Sequence, residues 1–136
     1  MRNQKGFTLI EILLVVVIIG ALASMVIPRL SGRSEKAKAT IAHVDIDANI
    51  SSALKLYELD NGMFPTTDQG LEALLRRPAS GPTSTNWNGP YLEKEPFDPW
   101  GRRYQYQSPG THNPNYDLYS YGPSEKDEKG RIANWK

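Results

Sequence analysis

Phe7 to Pro28 reads FTLIEILLVVVIIGALASMVIP, and 17 of these 22 residues are apolar. The only charge is Glu11; the 16 residues from Ile12 to Ile27 carry none. A helix over this stretch, rising ~1.5 Å per residue, is about 33 Å long and can cross the hydrocarbon core of a bilayer. Arg2 and Lys5 precede it, and positive residues before an apolar run hold that end on the cytoplasmic side.

The rest of the chain has another texture. The 136 residues are 39% hydrophobic with a mean hydropathy of -0.52. Beyond Pro28, 14 basic residues face 14 acidic ones, and only 35 of 108 residues are apolar. An apolar rod is thus joined to a polar, neutral head. A neutral head lacks the basic footprint that nucleic-acid binding requires. With no cysteine there is neither a disulfide framework nor a thiolate metal site. Two isolated histidines, His43 and His112, and no glycine-rich phosphate loop leave no catalytic constellation, so the chain reads as structural and not as an enzyme.

Three readings of the apolar segment compete. One is a secretory signal peptide cleaved after Ala21-Leu22-Ala23. Another is a plain single-pass anchor. The third gives Glu11 a task, because a carboxylate in an apolar helix is costly in lipid and ordinarily has a partner or a function. Its bland counterpart is a carboxylate at the interface near a helix N-terminus, where negative charge is tolerated.

Helical periodicity continues past Pro28, since proline can kink a helix without ending it; Ser31-Gly32 is a second weak point. Ala37, Ile41, Val44 and Ala48 recur at helical spacing, and Ile46, Ile50, Ala53, Leu54 and Tyr57 carry an apolar face onward. Asn61-Gly62 ends the run. The helix from Phe7 to about Asn61 would be roughly 80 Å long. Arg29, Arg33, Lys36 and Lys38 read as a solvated face and His43 as an ordinary surface residue.

After Gly62 come nine of the ten prolines, between Pro65 and Pro123, and six of the seven tyrosines, from Tyr91 on. Turns and extended segments follow from that. A short helix is expected over Asp68–Arg76, capped by Thr67 or Asp68, and Asp98-Pro99-Trp100-Gly101 reads as a turn with its indole buried nearby. Strands are expected at Tyr104–Ser108, Tyr116–Tyr121 and Ile132–Trp135. The fold class is α+β: a long N-terminal helix, apolar in its first half and amphipathic in its second, packed on a small antiparallel sheet that covers the helix stripe.

Lys5-Gly6-Phe7-Thr8-Leu9-Ile10-Glu11 resembles the type IV prepilin signature: a short basic leader, Gly then Phe, and Glu four residues after Phe. Pro28 falls where such proteins commonly carry proline. Met63 to Leu74, Asn86 to Leu92, Pro96 to Gly101 and Asp117 to Gly122 are similar to the major pseudopilin family of type II secretion, so the resemblance covers nearly the whole chain. It implies cleavage between Gly6 and Phe7 by a prepilin peptidase, N-methylation of Phe7, and assembly roles for Glu11 and Pro28. Glu11 would meet the N-terminal ammonium of a neighbouring subunit, because an unpaired charge in an apolar bundle is unfavourable and pairing selects a register. Residues 1–6 are then the leader, 7–28 the transmembrane and assembly helix, 29–62 its amphipathic continuation and 63–136 a periplasmic head. The implied partners are further copies in a helical fibre, the peptidase, minor pseudopilins, an inner-membrane assembly platform and membrane lipid before assembly. A type IV pilin of a surface appendage and a secreted binding domain are the alternatives.

The family also implies a structural calcium in the loop after Tyr121-Gly122. Potential donors here are Ser124, Glu125, Asp127 and Glu128 with the carbonyls of Tyr121 and Lys126, in keeping with the oxygen ligands that calcium takes. This chain departs from the family pattern: Ser124-Glu125 stands where Asp-Gly is usual, and Gly130-Arg131 where acidic residues are expected. A calcium-independent loop is the favoured reading: a metal-free loop closed by ion pairs, such as an acid with Arg131, is one form of it, and a solvated charged loop is the plainest.

Overall fold

The structure is a computed structural model describing residues 6–79, 81 and 86–136; Arg2 and Lys5 of the basic leader lie outside these. Helix α1 runs Leu9–Val44 and passes through Pro28 without ending, as expected of a residue that removes one backbone donor. A six-residue π-helical turn, Asp45–Ile50, follows, and α2 (Ser51–Asn61) continues the helix. The wide turn has a local cause: the buried Ser51 hydroxyl donates to the carbonyl of Ile46, five residues back. Gly62, at φ 78, closes the helix with its N–H donating to the Glu58 carbonyl at 2.7 Å. Only a residue without Cβ takes this left-handed conformation at little cost.

The chain divides after Lys36 into two units. In the first, every large hydrophobic residue from Phe7 to Ile27 is at least about half exposed, from 49% at Ile18 to 86% at Leu9. The helix is long and apolar enough to cross a membrane.

The second unit, Ala37–Lys136, holds the core. Ala42, Ile46, Ile50, Ala53, Leu54 and Tyr57 supply one side, and Ala73, Leu74, Tyr104, Tyr116, Leu118 and Ile132 the other. Each fully buried large aliphatic side chain contributes about 1.5–3 kcal/mol. The sheet is antiparallel, in the order β1 (Gln105–Gln107), β2 (Asp117–Ser120), β3 (Ile132–Ala133). Gln105 pairs with Tyr119, and Tyr119 with Ala133. All three expected strands form, each slightly shorter than its aromatic pattern.

Two sequence expectations are corrected. Ala37, Ile41, Val44 and Ala48 are exposed, whereas Ile46, Ile50, Ala53, Leu54 and Tyr57 are buried as expected and Ala42 extends their line backward. Strict four-residue spacing drifts around an α-helix, and the π-turn between Asp45 and Ile50 absorbs that drift. Over Asp68–Arg76 there is no α-helix, only a 3₁₀ turn at Leu71–Leu74. Thr66, not Thr67 or Asp68, forms the local cap, its hydroxyl accepting from Gln69 N at 3.3 Å while its N–H donates to Gln69 Oε1 at 3.0 Å. Gly70 at φ 57 and ψ -164 then breaks the helical path. The turn's carbonyls instead serve the next segment: Leu74 O accepts from Tyr91 N at 2.7 Å and Ala73 O from Trp87 Nε1 at 3.0 Å.

Candidate functional site

Gly6, Phe7 and Thr8 lie in irregular backbone just before α1, and Phe7 is 84% exposed. The Gly6–Phe7 bond is therefore outside regular structure and exposed. Thr8 and Glu11 form a capping box: Thr8 N donates to Glu11 Oε2 at 2.7 Å, Thr8 Oγ1 donates to the same oxygen at 3.0 Å, and Glu11 N donates to Thr8 Oγ1 at 3.3 Å. Backbone donors that a helix start leaves unsatisfied are met on both sides. The sequence reading placed Glu11 near the helix start and missed the box, although Thr8-Leu9-Ile10-Glu11 is the Thr-x-x-Glu pattern. Both side-chain contacts use Oε2, which is compatible with a further contact at Oε1. Pro28 lies far along α1 and is not brought near Glu11 by the helix. Ala21-Leu22-Ala23, the rival cleavage site, lies inside α1, where the Ala21 carbonyl also accepts from Ser24 Oγ at 2.7 Å.

The second candidate is the loop from Tyr121 to Arg131. Asp98, buried, starts a turn by accepting from Trp100 N at 3.1 Å and Arg102 N at 2.8 Å through Oδ1. Trp100 is half-buried and packs against the core, as the turn reading expected. Oδ2 of Asp98 accepts from the buried Ser120 hydroxyl at 2.6 Å, and Ser120 Oγ accepts from Gly122 N at 3.0 Å. This chain of bonds aims Arg102 at the loop. Its guanidinium donates to the Gly122 carbonyl and lies 3.9 Å from Glu125. Arg131, at the far end, stands 3.5 Å from Glu128 and over the rings of Tyr119 and Tyr121, at 5.4 and 5.5 Å from their centroids. Asp127 caps the 3₁₀ turn Glu128–Gly130, accepting from Lys129 N at 3.0 Å.

These contacts bear on calcium. Glu125 turns to Arg102, Glu128 to Arg131 and Asp127 to a backbone N–H. The Ser124 carbonyl accepts from Asp127 N at 3.3 Å. Lys126 is exposed, and Tyr121 presents its ring to Arg131. Among the described residues, no three acidic, histidine or cysteine side chains converge as a metal site. The residues present do not fit a divalent cation, which requires several oxygens converging on one point. Arg102 was missed by the sequence reading, because no local signal ties it to Gly122, twenty positions on.

A second buried acid organises the preceding loop. Asp117 accepts from Thr111 N and Oγ1, both at 2.9 Å, from His112 N at 3.0 Å and from Asn113 N at 2.9 Å, and His112 Nδ1 lies 2.8 Å from it. Burial pushes its carboxyl up, but the bonds from Asn113, His112 and Thr111 outweigh this and hold it well below the usual carboxylate range. The His112 ring stacks on Trp135 with centroids 4.1 Å apart. This cluster reads as structural: it ties the loop to β2 and the C-terminal segment.

The comparisons with known proteins agree with this geometry. The family model "Type II secretion system (T2SS), protein G" matches residues 29–135, and a prokaryotic N-terminal methylation motif matches residues 1–27. The type II secretion system core protein G of Pseudomonas aeruginosa is 51% identical over 139 residues, covering 98% of this chain and 96% of that protein. Its counterpart in Escherichia coli is 48% identical over 135 residues, covering 98% and 92%. The crystal structure of the major pseudopilin from the type 2 secretion system of enterohaemorrhagic Escherichia coli superposes with a TM-score of 0.69 at 38% identity, over 79% of this chain and 95% of that one. With a methylation motif at an exposed helix start, a long apolar helix and a three-stranded head, the chain belongs to the type II secretion system protein G family.

Proposed function

We propose that the protein is a structural, non-catalytic subunit of the type II secretion pseudopilus. Prepilin peptidase cuts between Gly6 and Phe7 and methylates the new amine of Phe7. Residues 1–6 are lost as the leader. Residues 7–28 anchor the subunit in the inner membrane with the head, residues 63–136, in the periplasm and 29–62 joining the two. The same helix then moves from lipid into a bundle of its own copies as the fibre grows from an assembly platform and carries minor pseudopilins. Growth of the fibre drives protein export.

One observation carries the reading: an exposed Gly6–Phe7 junction, outside regular structure, stands directly before a capped helix start whose large apolar side chains as far as Ile27 are all at least about half exposed. Such a surface requires either lipid or like helices around it. Glu11 fits the second environment as an acceptor for the neighbouring Phe7 ammonium, since an ion buried in an apolar bundle is costly unless paired. The test is mass spectrometry of the mature N-terminus from cells with an intact secretion system. N-methyl-phenylalanine at Phe7 is the expected result. A mature chain beginning at Ser24 would overturn the proposal and establish ordinary signal-peptidase release.

A further inference from the structure

We infer that the loop from Tyr121 to Arg131 is held by two guanidinium groups of the chain itself, Arg102 and Arg131, acting in place of a bound divalent cation, so that folding of this head is independent of calcium. The inference stands apart from the assembly reading, because it concerns only what closes the loop.

A structural cation in a loop does two things. It neutralises converging carboxylates, and it gathers carbonyl oxygens that would otherwise repel one another. Both tasks are performed here by side chains. Arg102 donates to the Gly122 carbonyl at the start of the loop and faces Glu125 at 3.9 Å. Arg131 faces Glu128 at 3.5 Å at its end. The two ends meet in space: a Cβ on Gly122 would run into the Gly130 carbonyl, so the backbones are in close approach. A divalent ion at this junction would face two permanent positive charges, which like-charge repulsion disfavours.

Neither arginine is a loosely placed surface charge. Arg102 is positioned from behind by the buried Asp98, through its own N–H at 2.8 Å and through its carbonyl, which accepts from Asp98 N at 2.7 Å. Its side chain is 28% exposed and that of Arg131 is 32% exposed. Arg131 is held over Tyr119 and Tyr121, and an aromatic face favours a planar, weakly hydrated cation over a lysine ammonium. Two of the loop's three acidic side chains are thus answered by internal cations, and the third, Asp127, by the Lys129 N–H. A ligand-held loop would make stability rise with ligand concentration, whereas covalently attached cations give no such dependence.

The test uses the full-length protein in detergent micelles. Thermal unfolding is followed by near-ultraviolet circular dichroism of the tryptophans, in EGTA and in excess calcium chloride. Trypsin cleavage after Lys126 and Lys129, mapped by mass spectrometry, reports the loop alone. The expected result is one Tm and one cleavage rate in both solutions. A Tm lower in EGTA by roughly 4–8 °C and restored by calcium, or faster loop cleavage in EGTA, would overturn the inference. Arg102→Ala is expected to lower Tm by a similar roughly 4–8 °C and to speed cleavage after Lys126, with no rescue by calcium. An unchanged Tm and cleavage rate in that variant would also overturn it. Should Arg102→Ala fail to fold, Arg102→Lys, which keeps the charge and loses the fork, reads the same effect as a smaller loss; wild-type behaviour of Arg102→Lys together with calcium rescue of any loop variant would count against the guanidinium account.

Discussion

The Ser120 hydroxyl donates to Asp98 Oδ2 at 2.6 Å, and both residues are buried, at 0% and 4% exposure. Twenty-two positions separate them along the chain. The pair joins the turn that carries Arg102 to the end of β2, and so fixes where the following loop begins.

Asp98→Ala removes the acceptor for three donors, Trp100 N, Arg102 N and Ser120 Oγ. Buried donors left unsatisfied cost about 1–3 kcal/mol each, and partial relaxation makes about 3 kcal/mol a fair expectation for the set. Ser120→Ala removes one bond of the set and leaves Gly122 N without its acceptor, so about 1–2 kcal/mol is expected. Denaturant melts of both single variants and the double variant measure this. The double variant should lose less than the two single losses combined, because the residues share one bond.

Asp117 gives a pH dependence of known sign. Its folded carboxyl titrates below the ordinary range, while the unfolded one takes its proton near pH ~3.9. Between these values the unfolded chain binds more protons. The stabilisation is therefore complete above about pH 5 and is lost as pH falls through the folded value. Thermal melts from neutral pH down to about pH 3 should show Tm falling on the acid side. Asp117→Asn should be less stable at neutral pH, since an amide NH₂ replaces an acceptor among several donors, and its acid-side loss should be shallower than that of wild type. Parallel acid limbs in the two proteins would rule Asp117 out as the group responsible.

Glu11 serves both as a capping residue and, in the proposed fibre, as a partner for a neighbouring amine. Thr8→Val separates the two roles, because it removes the cap hydroxyl and leaves the carboxylate. A lost cap costs about 0.5–2 kcal/mol of helix stability, which a helix embedded in lipid should tolerate. Thr8→Val should therefore retain fibre formation, while Glu11→Ala should be cleaved and inserted normally and yield few fibres. Sheared-fibre yield and leader cleavage, read on the same cells, check this. Normal fibre yield from Glu11→Ala would remove the pairing role.

Leu54 is fully buried between the helix and the sheet. Leu54→Ala should cost about 2–5 kcal/mol, by lost transfer energy and a residual cavity. Ile41→Ala, on the exposed stripe at 53% exposure, should change the stability of the isolated subunit by no more than about 0.5 kcal/mol. Equilibrium unfolding of the two variants side by side tests which stripe of the amphipathic helix the head covers.

Much of this protein is decided by information local to the chain. An uncharged run of 16 residues has no stable state in water unless something covers it, and Gly6, Phe7 and Glu11 stand just before its start. Tyrosines interleaved with polar residues mark β1 and β2 within a residue or two, because a half-buried pleated surface rewards that pattern directly. Gly62 ends the helix for a reason that lies in its own backbone. What tertiary structure alone decided is which surfaces meet. Two apolar stripes run along the second half of the helix, and the packed sheet together with a π-turn selected Ala42, Ile46 and Ile50 over Ala37, Ile41 and Val44. The joining of Arg102 to Gly122, Asp98 to Ser120 and Asp117 to the turn before it depends on strand register and turn geometry. Local propensity sets how a segment bends, whereas a buried polar contact between distant residues exists only once burial has removed water as the competing partner.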